Sequence, residues 1–143
     1  MWLCEALLAD AMPRHPMLPG GLPGSDLTGG DPSAAYAEAA VAALAAAADG
    51  DALTRVHATP LGDMPGPVLA GFTTLDIAVH GWDLAKATGQ PAVLEAVLAG
   101  HVLGFARQSL TGESRAGRIG QELPVPGTAP VTDRLVGFLG RLP

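Results

Sequence analysis

Asp76, His80 and Asp83 form the pattern Asp-x-x-x-His-x-x-Asp, and these are the residues whose types and spacing are best suited to chemistry. On a helical wheel at about 100° per residue, with Asp76 at zero, His80 falls at about +40° and Asp83 at about −20°. The three therefore share one face. A carboxylate and an imidazole one turn apart can both reach a point ~2 Å from their donor atoms, which is what a divalent cation requires. The same spacing also makes a plain i,i+4 ion pair, or, with Asp83, a buried Asp-His-Asp hydrogen-bond network that fixes helix register. If an ion is held, Asp83 is expected to orient a neighbour by hydrogen bonding rather than to ligate, because outer carboxylates commonly fix a ligating imidazole.

The remaining histidines are weaker candidates. His15 and His57 fall in segments read as loops, where a histidine is more often solvated than functional, although a loop can bend into a pocket. His101 lies at the edge of a helix's apolar face and reads as a satisfied core or boundary residue. Cys4 is the single cysteine, so it cannot close an internal disulfide. It reads as a small buried apolar residue, compatible with a reducing cytoplasm.

The helix that must carry the stripe begins near Pro67 and ends at Thr88-Gly89, where glycine can take the left-handed C-cap conformation. Phe72, Val79, Val68, Leu75 and Trp82 flank the stripe on one side, and Thr73, Leu84 and Ile77 on the other. The rest of the circumference is Ala, Gly and Thr, with no long charged side chain before Lys86. A helix without a clearly wet face is expected in the middle of its domain, so the stripe is expected in an interior cavity shielded from bulk water. A carboxylate placed there must be paired, neutralised or bound to a metal.

Other elements are expected around it. Residues 2–12 read as a short helix stopped by Pro13, and the Pro- and Gly-rich run to Gly30 as a loop. Asp31 followed by Pro32 reads as a helix start, with the helix running to about Ala48 and an apolar face of Ala37, Val41, Leu44 and Ala48. Val56–Thr59 reads as extended and Gly62–Gly66 as a turn. A helix from Pro91 to about Leu110, with Leu94, Val97, Leu98 and Phe105 on one face, and a short helix from Val131 to Leu139 complete the set. Thr111–Pro130 has no helical period and should pack as irregular chain.

Composition narrows the classes. The chain of 143 residues is 48% apolar but only 4% aromatic, and its apolar content is mostly Ala, Leu and Val, which suits packed helices better than a β-sandwich. That length is read as one domain with one core, residues 1–143. A formal net charge of −6, with eight Lys plus Arg scattered singly, offers no basic face for nucleic acid. Residues 1–12 lack the basic region and cleavage pattern of a signal peptide, and no apolar run reaches the ~20 residues of a transmembrane helix. A cytoplasmic protein with no membrane partner is expected.

The stretch Thr74-Leu-Asp-Ile-Ala-Val-His-Gly-Trp-Asp-Leu-Ala-Lys-Ala-Thr-Gly-Gln90 resembles the metal-helix segment of actinobacterial DinB-like proteins related to mycothiol-dependent maleylpyruvate isomerase. Asp31-Pro-Ser-Ala-Ala-Tyr-Ala-Glu-Ala-Ala40 resembles the preceding helix of that family. Leu123-Pro-Val-Pro126 and Asp133-Arg-Leu-Val-Gly-Phe-Leu-Gly-Arg141 resemble the tail of its short single-domain members. The resemblance implies an all-α, DinB-like four-helix bundle with an irregular Gly/Pro-rich C-terminal segment. It implies a zinc or nickel ion held by Asp76, usually Glu in the family, by His80, and by a histidine from an earlier helix, with Asp83 part of the accompanying His-Gly-Trp-Asp pattern. Family members begin with a further helix and most of a second that carries that histidine, so the resemblance implies an N-terminally incomplete bundle lacking the third ligand.

Two classes of function follow from the resemblance. In the first, the ion binds a small thiol such as mycothiol as thiolate, which attacks an electrophile or conjugated double bond, giving a thiol-dependent isomerase or S-transferase. In the second, the domain is a non-catalytic metal-binding or interaction module. The purely structural Asp-His-Asp network is the third alternative. A missing N-terminal hairpin would uncover one side of the central helix, and homodimerisation is the simplest repair.

Overall fold

The computed structural model describes residues 30–59, 62–112, 115 and 119–143. The readings of residues 2–12 as a helix and of 13–29 as a loop, and those of Cys4 and His15, lie outside them. The described chain is mostly helical. Its helices are α1 (Pro32–Ala48), α2 (Gly66–Ala87), α3 (Ala96–Ser109) and α4 (Val131–Phe138), and its strands are β1 (Val56–Thr59) and β2 (Gly62–Pro65). Among the described residues no helix is long and apolar enough to cross a membrane. The chain divides into two compact units, Met1–Thr73 and Thr74–Pro143, so that α2 begins in the first and ends in the second.

In the first unit, the Asp31 carboxylate caps α1 by accepting from the backbone N–H of Ser33 (3.1 Å) and Ala34 (3.0 Å), with Pro32 where no N–H is needed. The expected apolar face of α1 is not its covered one. Val41 and Leu44 are exposed, while Ala35, Ala39, Ala42 and Ala46 are half-buried at helical spacing. Alanine lets a neighbour approach closely, so the small residues take the inner row and the large ones are left outside.

β1 and β2 pair antiparallel, with Val56 opposite Pro65 and Thr59 opposite Gly62. Gly62–Pro65 is therefore a strand and not the expected turn. Its pairing continues into the Gly66 N–H bond to the Arg55 carbonyl (2.9 Å), and Met64 packs with Ala46 on the fully buried Leu69. A Cβ at Gly66 would collide with the backbone of Ala52 and Leu53. Only glycine lets the 51–54 turn lie against the start of α2.

In the second unit, α3 starts five residues later than Pro91. Glu95 caps it, its carboxylate accepting from Val97 N–H (3.0 Å) and Leu98 N–H (2.9 Å), so the chain from Pro91 to Leu94 stays outside the helix. That segment is tied instead to α4 by the Leu94 N–H bond to the Thr132 hydroxyl (3.3 Å). The buried row of α3 is Ala99, Val102, Leu103 and Ala106, whereas Val97 of the expected face is among the most exposed apolar residues. The row packs on α4, whose Leu135 and Val136 are fully buried. Each such side chain contributes on the order of 1.5–3 kcal/mol relative to leaving it in water.

The described part of 111–130 contains no α-helix or strand, as expected of a Gly- and Pro-rich segment, although Gly112 takes 3-10 geometry. It is held by specific bonds: Leu123 N–H donates to the Gly137 carbonyl (2.9 Å), and the Arg115 guanidinium donates to the carbonyls of Gly120 and Phe138 while lying over the Phe138 ring.

Candidate functional site

Asp76, His80 and Asp83 all lie on the part of α2 that belongs to the second unit. α2 runs to Ala87 and closes with Gly89 at φ +68°, where the Gln90 N–H bonds back to the Ala85 carbonyl (2.8 Å). The stripe is thus carried on uninterrupted helix, and its side chains meet. His80 Nε2 lies 3.3 Å from Asp76 Oδ1, and His80 Nδ1 lies 3.4 Å from Asp83 Oδ2. Each ring nitrogen faces one carboxylate, at separations typical of ion pairs and longer than a strong N–H···O bond.

The stripe is not shielded from bulk water, which corrects the expected interior cavity. The side chain of His80 is 67% exposed and that of Asp76 44%. The reason lies in the two apolar flanks. Leu75, Val79 and Trp82 are buried, but Ile77 and Leu84 on the other side are exposed, so the stripe runs along the boundary of the core. A remainder of Ala, Gly and Thr permits close packing without forcing it.

Asp83 is the best-held member. Arg141 Nε donates to its Oδ1 (2.7 Å) and Arg141 Nη2 to its Oδ2 (2.8 Å), a two-pronged pairing across 58 residues of sequence. These hydrogen bonds hold the Asp83 carboxyl below the usual carboxylate range; partial burial opposes them, and the positive charges of Arg141 and His80 add to them. Arg141 is the residue that sequence reasoning missed. A lone arginine just after an apolar helix end gave a signal of cation near core, but nothing in the local pattern paired it with α2.

The other candidates do not join this cluster. His57 sits in β1 and not in a loop, and its Nε2 bonds to the Ala52 carbonyl (2.7 Å) within the first unit. His101 is exposed on α3. Among the described residues, no group of three or more His, Cys, Asp or Glu is placed to hold one ion together. What the cluster offers is a pair of donors, Asp76 Oδ1 and His80 Nε2, with a second carboxylate, that of Asp83, behind the imidazole.

Two proteins of Mycobacterium tuberculosis are similar to this chain: the uncharacterized protein MT0763 of strain CDC 1551 / Oshkosh and the uncharacterized protein Rv0738 of strain ATCC 25618 / H37Rv. Each is 41% identical over 112 residues, which make up 76% of this chain and 60% of the relative. The chain therefore spans about three fifths of the length of the curated relatives it matches. No family model matches the chain. No solved structure matches it.

Proposed function

We propose that this chain is a divalent-metal-binding helical protein of the DinB and mycothiol-dependent maleylpyruvate isomerase type, with Asp76 and His80 as ligands to zinc or nickel. The observation that carries the reading is the 3.3 Å separation of Asp76 Oδ1 and His80 Nε2. Two donors held ~2.0–2.1 Å from a tetrahedral ion are about 3.3–3.4 Å apart, so the separation of these two atoms suits a shared ion. The exposure of His80 leaves the remaining positions open to water or a substrate thiol. Bound there, the ion would supply Lewis acidity that lowers the pKa of a small thiol such as mycothiol, for use in isomerisation or S-transfer.

The protein's own contribution to such chemistry is to bind and orient. Asp76 and His80 would hold the ion at one turn of α2, and Asp83 stands at the far ring nitrogen. The exposed Ile77 and Leu84 offer an apolar neighbour for an electrophile. A second reading is favoured by one feature: His80 already has a carboxylate at each ring nitrogen, so the cluster is complete as a structural ion-pair network without an ion.

Zinc titration of the purified chain by calorimetry separates the two. The metal reading expects binding that His80→Ala abolishes and Asp76→Ala weakens by at least tenfold. The structural reading expects no saturable binding in any of the three proteins. Thiol-dependent turnover of a conjugated electrophile by the zinc-loaded chain then separates an enzyme from a metal-binding module.

A further inference from the structure

We propose that the outer face of α1 is a self-association surface, on which a second copy of this chain packs antiparallel along the stripe Ala34, Ala37, Val41, Leu44 and Ala48. The inference does not depend on the metal reading.

α1 has 17 residues, of which Glu38 alone is charged, and none of them is buried. An isolated helix of this length is marginal in water, and a helix apolar all round is normally covered by something. Its inner row, Ala35, Ala39, Ala42 and Ala46, is half-buried within the first unit. The stripe lies about 150° away on the helical wheel. All five of its residues are exposed, Val41 to 68% and Leu44 to 72%. They recur at alternating steps of three and four, the repeat that keeps one seam of a helix facing another helix.

A second copy fits this stripe in size and in charge. Antiparallel pairing with Val41 against the partner's Leu44 gathers the large side chains in the centre, and Ala37 then meets the partner's Ala48 at either end. One patch thus completes itself, as a two-fold interface requires. The stripe carries no charge, and in this register Glu38 and its copy stand roughly 14 Å apart along the axis, beyond a Debye length at physiological salt. The pairing also opposes the two helix dipoles. It brings Asp31 to the end of α1 where the partner's Arg55 lies, each Arg55 being held 3.2 Å from Asp49 of its own chain. Parallel pairing would instead set the two Asp31 carboxylates side by side. Two helices ~25 Å long bury on the order of 1,000 Å² between them, the lower edge of a specific interface. The dimer should therefore be weak, forming at tens to hundreds of micromolar and not at the dilutions used for unfolding.

Sedimentation equilibrium of the 143-residue chain over that range is expected to show monomer and dimer in exchange. Leu44→Glu should weaken the dimer at least tenfold, whereas Tyr36→Ser, off the stripe, should leave it unchanged. Direction is read by disulfide formation in a Cys4→Ser background. Val41→Cys mixed with Leu44→Cys should give the mixed disulfide faster than either variant links to itself, and faster self-linking would reject the antiparallel arrangement. A chain that stays monomeric, or a dimer indifferent to Leu44→Glu, would overturn the proposal. In a monomer, destabilisation by Leu44→Glu in urea would mean that the chain covers its own stripe, and unchanged stability that the stripe is open or takes a different protein; either rejects the second copy. Should Leu44→Glu lose its helical circular dichroism, Ala37→Glu carries the same comparison.

Discussion

Arg141 and Asp83 form a two-pronged ion pair, 2.7 and 2.8 Å long, that fastens the segment after α4 to the last turns of α2. Both side chains are about one third exposed, so water screens the pair and its worth is modest. A double-mutant cycle with Asp83→Asn and Arg141→Gln should give a coupling of about 1 kcal/mol in urea unfolding at low salt. The coupling should shrink as salt is added. Zero coupling at low salt would mean that the pair holds nothing in solution.

The cluster on α2 was legible in the sequence because helical spacing alone puts residues 76, 80 and 83 on one face, and a local rule needs no tertiary knowledge. The Asp31 and Gly89 helix ends were legible for the same reason. Burial was not. The periodicity of α2 marks two apolar flanks but cannot say which residues meet a neighbour: Leu75, Val79 and Trp82 are buried on one flank and Thr73 on the other, while Ile77 and Leu84 stay exposed. In α1 and α3 the covered rows are rich in alanine, a residue whose hydrophobic signal is weak, so the larger Val41, Leu44 and Val97 drew the prediction to the wrong side. Arg141 was hidden because its partner lies 58 residues away and no local pattern encodes such a distance.

The core of the second unit predicts a sharp contrast between two leucines. Leu135 of α4 is fully buried, whereas Leu84 of α2 is 64% exposed. Leu135→Ala removes packed methyl groups and leaves a cavity, so it should cost about 2–5 kcal/mol in denaturant unfolding. Leu84→Ala should stay within about 0.5 kcal/mol of the wild type. Comparable losses from both would show that the Leu84 side of α2 is covered in solution.

Gly137 should tolerate no side chain. Its carbonyl accepts the Leu123 N–H at 2.9 Å, and a Cβ would run into a methyl group of Val125. Gly137→Ala improves helix propensity by about 1 kcal/mol, which on an open helix surface would stabilise. Here the overlap should dominate and destabilise by about 1–3 kcal/mol. Gly137→Ala combined with Val125→Ala, which removes the obstructing methyl, should recover part of the loss. A stabilised single variant would mean that the 121–126 segment does not press on α4.

Glu95 gives the clearest pH dependence. Its carboxylate caps α3, and the bonds it accepts from Val97 N–H and Leu98 N–H hold its pKa below the ordinary value of 4.5. A carboxyl depressed by folding adds stability that is fully present above its unfolded pKa and lost as pH falls through the lower, folded one. The cap should therefore be intact at neutral pH and fail only in acid below the ordinary glutamate range. Glu95→Gln lacks the titrating charge, so it should be less stable than wild type at pH 7, with the gap closing as both are acidified. Urea unfolding of the two proteins from neutral to acidic pH measures that gap directly. A gap that stays constant across the range would mean that the charge of Glu95 contributes nothing to the start of α3.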